Sequence, residues 1–209
     1  MLNPLCPRRH FGIMPDTKTK MFSIDASLGL LRGVRQVLSP HLDERPSGQA
    51  AELVVVHGIS LPPGEFGGPW IEQLFTGNLP AAAHPYFATI AANRVSAHLL
   101  IRRDGQVLQF APFTARAWHA GRSSWCGRES CNDFSIGIEL EGVDESPYDA
   151  RQYPALAAVI AALCATYPAL SPERVVGHSD IAPGRKTDPG AAFDWPLLRS
   201  LISAARGAT

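Results

Sequence analysis

Apolar positions along this chain change period several times, and each change marks an element. Leu53-Val54-Val55-Val56 is a continuous apolar run too short for a helix. It predicts a buried strand that delivers His57 at its end. Residues 134–141 alternate instead. Phe134, Ile136, Ile138 and Leu140 share one face, and Ser135, Gly137, Glu139 and Glu141 share the other, so a strand should pack one face on the core and aim carboxylates outward. Residues 97–101 and 107–110 flank Asp104-Gly105, which predicts a hairpin closed by a type I′ turn. Helical spacing appears where Pro69 leads Trp70, Ile71, Leu74 and Phe75 towards Gly77, and a second short helix is expected over 84–92. The strongest helical stripe is Leu156, Val159, Ile160, Leu163 and Cys164. Asp149 and Gln152 resemble a capping box ahead of it, although Pro154 then falls inside the helix. Asp194 is placed to cap a last helix with Leu197, Leu198, Leu201 and Ile202 inward. Residues 24–38 fit a short surface helix or an irregular cover.

Strands and helices are interspersed, one unit is a hairpin, and no βαβ unit repeats throughout. The fold class expected is therefore α/β, one domain with a mixed central β-sheet and helices on both faces. Residues 1–20 are polar and broken by Pro4, Pro7 and Pro15. They are expected to be a poorly ordered extension, with the domain over 21–209 and Met21 an alternative start.

Composition narrows the function classes. The 209 residues are 45% hydrophobic and 18% charged, and Lys+Arg and Asp+Glu number 19 each. That balance gives no reason to expect a nucleic-acid or membrane partner, and no obligate protein partner is indicated. Cys6, Cys126, Cys131 and Cys164 form no C-x-x-C pair and read as reduced thiols. The first 20 residues hold no secretory leader and no apolar run approaches the length of a membrane span, so the cytoplasm is the expected location.

The densest chemistry lies in residues 177–190, where His178, Asp180, Arg185, Lys186 and Asp188 stand in a Gly/Pro-rich loop. Arg174-Val175-Val176 precedes it as a short strand. Two strands therefore end in histidine, at His57 and His178, and the loop can return Asp188 to the same point. Two nitrogens and one carboxylate oxygen suit zinc, which in catalytic sites keeps a fourth position for water. Spacing alone leaves open which of the seven histidines bind. His98 lies inside a hairpin strand and reads as structural, His119 could line a cleft, and His10, His41 and His84 read as surface residues. Glu139 has small neighbours on its face and could serve as a base. Lys186 could face an oxyanion, or be an ordinary exposed lysine.

Val55-Val56-His57, the blocks 61–68, 94–98, 117–121 and 131–142, and the loop 177–190 closely resemble the AmpD-type 1,6-anhydro-N-acetylmuramyl-L-alanine amidases. These belong to the zinc amidase group that includes peptidoglycan recognition proteins. The resemblance spans about residues 38–201. It implies hydrolysis of the amide between the lactyl group of 1,6-anhydro-N-acetylmuramic acid and L-alanine of the stem peptide, in cytoplasmic cell-wall recycling. It further implies one Zn²⁺ on His57, His178 and Asp188, a general base at Glu139, and an electrostatic stabiliser at Lys186. Trp118 would contact the sugar, and Arg94 would reach the peptide of an anhydro-muropeptide substrate. Two positions depart from the pattern. Gly58 stands where asparagine is expected, and Ser130 where arginine is expected, with Arg128 near. The rival readings are a non-catalytic muropeptide-binding module, an amidase acting on polymeric peptidoglycan, and a structural zinc domain, against which no fourth ligand is apparent.

Overall fold

The computed structural model describes residues 21–207. The expectation for residues 1–20 therefore lies outside the described residues. Six strands build the central sheet: β1 (Arg35–Gln36), β2 (Leu53–Ile59), β3 (Leu99–Ile101), β4 (Val107–Gln109), β5 (Ser135–Glu141) and β6 (Val175–Gly177). Their order across the sheet is β6-β2-β5-β3-β4-β1. β3 and β4 pair antiparallel, and every other neighbour pair is parallel. The sheet is thus mixed, as its interspersed elements imply.

Helices cover both faces. On one side lie α3 (Gln152–Thr166) and α5 (Trp195–Gly207). Leu156, Val159, Ile160, Leu163, Leu198 and Ile202 pack there against Val54, Val56, Ile136, Ile138 and Leu140. On the other side α1 (Trp70–Phe75) and α2 (Pro85–Ile90) bury Ile71, Leu74, Phe75 and Phe87 against Leu100 and Leu108. Asp194 caps α5 by accepting from the Leu197 N–H at 2.8 Å, although Leu197 itself is exposed rather than inward. Gln152 opens α3 and donates to the carbonyls of Ile101 and Glu141, tying the helix to the ends of β3 and β5. Its amide oxygen accepts from the Asp149 N–H at 2.9 Å, which is one half of the expected capping box.

Some expectations are corrected. Residues 24–38 form no helix. Ile24–Asp25 pairs with Leu30–Leu31, and β1 joins the sheet edge. The 103–105 connection is not a type I′ turn. Gly105 has φ +83°, Asp104 is absent from the positive-φ positions, and the Gly105 N–H donates to the Arg102 carbonyl. This is the three-residue loop with a left-handed glycine in third place. The long segment before β5 is not structureless: Ala115–Ala117 pairs with Leu42–Glu44, and Ser124–Trp125 with Arg128–Glu129. His41 is buried, with Nδ1 3.1 Å from the Val95 carbonyl. β5 is buried on both faces, so its carboxylates do not aim at solvent. The described cysteines, Cys126, Cys131 and Cys164, are free thiols.

Candidate metal centre

Parallel register brings the three sequence-distant ligands together. In β2 and β6, Gly177 is the partner of Val56, so His178, the next residue, arrives beside His57. His178 also begins the short helix α4 (His178–Ile181), rather than a plain loop. The chain then turns back, and the Ser179 N–H donates to the Asp188 carbonyl at 3.0 Å. That bond closes the ten-residue excursion and returns the Asp188 carboxylate to His178.

The resulting triangle is tight. His57 Nδ1 lies 2.9 Å from His178 Nδ1, His178 Nδ1 lies 3.0 Å from Asp188 Oδ2, and His57 Nδ1 lies 3.3 Å from Asp188 Oδ2. A tetrahedron with ligands about 2.0–2.1 Å from its centre has edges of about 3.3 Å. The observed edges are at or just inside that length, and these are the three residues that group as a candidate metal site among the described residues. Two neutral imidazoles and one carboxylate form a donor set suited to a single Zn²⁺. Burial drives the His57 imidazole towards its neutral form, down to about 4, against the opposing pull of Asp188. Burial raises the Asp188 carboxyl, but hydrogen bonds from His178 and His57 outweigh it and hold the group well below its ordinary range. Both shifts favour the states a cation needs.

The remaining ring nitrogens are also occupied. His178 Nε2 lies 3.2 Å from the Ala120 carbonyl, and His57 Nε2 lies 2.9 Å from His119 Nδ1. His119 Nε2 in turn meets Ser135 Oγ at 3.1 Å. The sequence placed His119 in a cleft but gave no sign of its contact with His57.

Glu139 is the register partner of His57 across β2 and β5, so both side chains leave the sheet on the same face. It lines a cavity of about 660 Å³ together with His178, Asp188, Lys186, Trp118 and His119. Glu139 Oε2 is buried without a hydrogen-bond partner among the described residues. Burial raises its proton affinity well above the ordinary carboxyl, the charge of Asp188 adds to this, and Lys186 opposes it. Glu141, two residues on, differs: it accepts from the backbone N–H groups of Gly67 and Arg103 and from Arg102.

Trp118 lies on the cavity wall with Nε1 donating to Asp43 at 3.1 Å. Arg94 sits over its ring, 5.3 Å from the centroid, but is exposed and outside the cavity lining. Gly58 leaves room for Tyr148. A Cβ there would run into the Tyr148 hydroxyl, which donates to the Pro189 carbonyl at 2.9 Å, next to Asp188. Nothing local in the sequence marks that contact, since 90 residues separate the pair. Ser130 has φ +60° and lines a separate depression with Arg122 and Arg185. Arg128 does not replace the expected arginine: it is committed to Glu52, Gln49 and the Phe134 ring.

Residues 47–191 match the N-acetylmuramoyl-L-alanine amidase family. The chain is 61% identical over 175 residues to the 1,6-anhydro-N-acetylmuramyl-L-alanine amidase AmpD of Escherichia coli (strain K12), covering 84% of this chain and 95% of that protein. It is 60% identical over 175 residues to AmpD of Salmonella typhimurium (strain SL1344), covering 84% and 93%. Among solved structures it is similar to the crystal structure of a selenomethionine derivative of AmpD, with a TM-score of 0.82 at 60% identity over 84% of this chain and 97% of that one.

Proposed function

From the premise that this chain belongs to the N-acetylmuramoyl-L-alanine amidase family, we propose that it hydrolyses the amide between the lactyl group of 1,6-anhydro-N-acetylmuramic acid and L-alanine of the stem peptide. In this reading it acts on anhydro-muropeptides in the cytoplasm, as a step of peptidoglycan recycling. No described helix is long and apolar enough to cross a membrane. The observation that carries the reading is the convergence of His57, His178 and Asp188 beside the unpartnered buried oxygen of Glu139.

His57, His178 and Asp188 would hold one Zn²⁺, which when bound supplies a Lewis acid for the carbonyl and for water. Glu139 accepts the proton of the attacking water, and its raised proton affinity equips it to pass that proton to the leaving amine of L-alanine. Lys186, on the cavity wall, sets a positive charge towards the oxyanion of the tetrahedral intermediate. Trp118 offers a ring face for the sugar, and Arg94, stacked on that ring, faces the peptide from outside the cavity.

The test is direct. Zinc-loaded protein is incubated with anhydro-muramyl tripeptide, and free tripeptide is followed by mass. Release of tripeptide is expected. Binding without release would make the chain a recognition module, and release only from intact sacculi would make it an enzyme of polymeric wall.

A further inference from the structure

Zinc needs the lone pair of His57 Nδ1, so the proton of that ring must sit on Nε2, where it requires an acceptor. The acceptor here is not the usual carboxylate or carbonyl but a second imidazole, His119 Nδ1, at 2.9 Å. A neutral imidazole accepts at one nitrogen only while its other nitrogen carries the proton. His119 Nε2 meets Ser135 Oγ at 3.1 Å, and that hydroxyl can accept. One proton order therefore suits the ion: His57 Nε2–H to His119 Nδ1, and His119 Nε2–H to Ser135 Oγ. The reverse order would place a proton on His57 Nδ1, where the ion belongs.

The same short segment serves the other imidazole. The Ala120 carbonyl accepts from His178 Nε2 at 3.2 Å, and so fixes the His178 lone pair on Nδ1. A single amide oxygen, Asn132 Oδ1, accepts from the backbone N–H groups of both His119 (3.1 Å) and Ala120 (2.8 Å). Space is reserved as well, since a Cβ on Gly137 would overlap the His119 ring.

We infer that His119, backed by Ser135, and the Ala120 carbonyl, held by Asn132, are positioning groups that set the tautomer and angle of both histidine ligands. His119 thereby belongs to the metal centre as well as to the cavity wall. This rests on the zinc reading above.

Zinc dissociation constants from chelator competition test it, alongside thermal unfolding of the metal-free proteins. His119→Phe keeps the ring volume but removes the acceptor, and is expected to weaken zinc about tenfold to a hundredfold. His119→Asn, whose Oδ1 can take the place of Nδ1, should recover most of that loss, and Ser135→Ala should weaken zinc less than His119→Phe. Imidazole ¹⁵N shifts of the zinc-loaded wild type should show His119 neutral with its proton on Nε2. Native zinc affinity in His119→Phe, or a proton on His119 Nδ1, overturns the inference. Should the Phe variant fail to fold, Ser135→Ala and the ¹⁵N shifts decide. Failure of the wild type to bind zinc at all would sink the metal reading itself, a separate outcome.

Discussion

The two faces of β2 and β5 are built from alternate residues of the same strands, yet they do different work. Towards α3 and α5 stand Val54, Val56, Ile136, Ile138 and Leu140, all fully buried and apolar. The opposite face starts apolar, with Leu53 and Val55 packed against Ala120 and Ile181, but further along the same strands it presents His57, Ser135, Gly137, Glu139 and Glu141, which are equally enclosed but polar or small. Burying polar groups is costly unless each finds a partner. Glu141 finds three donors and pins the Gly67 loop to the sheet. Glu139 keeps one oxygen free of any partner among the described residues. Two carboxylates on one face of one strand thus separate by what surrounds them: Glu141 is tied into the structure, and Glu139 is left on the cavity wall with an unpartnered oxygen.

Substitutions can break or sharpen that contrast. The largest effect is expected from His178→Ala, which should lose zinc by metal analysis and reduce tripeptide release to background. Glu139→Ala should retain zinc and lower kcat by about 10²–10⁴-fold, with no loss of thermal stability, because an unpartnered buried carboxylate is removed. Near-native turnover in that variant would remove Glu139 as the base. Glu141→Ala should do the opposite, costing about 1–3 kcal/mol by denaturant unfolding because the Gly67 and Arg103 N–H groups lose their acceptor, while Arg102 keeps Glu72. On the apolar face Leu156→Ala should cost about 2–5 kcal/mol, with zinc affinity unchanged in the folded fraction. A smaller effect is expected from His98, whose imidazole burial depresses to about 3, with Arg45 adding to the shift. The unfolded chain binds its proton below about 6.5, so stability should fall as pH drops from there towards 3. At pH 5 the loss is about 2 kcal/mol, and His98→Asn should flatten that slope in thermal unfolding. An unchanged slope would mean another group carries it.

Short-range information in the sequence accounts for much of this. The apolar run before His57, the alternation of β5 and the stripe of α3 each follow from period alone, and Gly and Pro mark the loop that carries Asp188. Strand-end histidines and the returning loop offered His57, His178 and Asp188 as ligands, and the resemblance singled that set out among the seven histidines. What was not legible depends on distant partners. The burial of Glu139 and Glu141 needs Arg102, the Gly67 loop and the cavity wall to close over an alternating strand. The space that glycine leaves open at 58 is taken up by the Tyr148 hydroxyl, and at 137 by the His119 ring, neither of which is a neighbour in the chain. Asp104-Gly105 satisfies two turn types equally well, and the choice was made by the backbone of Arg102, which offers its carbonyl to Gly105. His41 looked like a surface residue because its partner, the Val95 carbonyl, lies 54 positions away.

The edge position of β6 has a consequence for synthesis. His57 leaves the ribosome 121 residues ahead of His178, and β6 can dock only on a β2 that is already in place. A nascent chain therefore has no means of trapping a cation while most of its sheet is still being translated. Metal capture falls after synthesis of the C-terminal segment, so a chain cut short before residue 175 could assemble much of the sheet and still never become an enzyme.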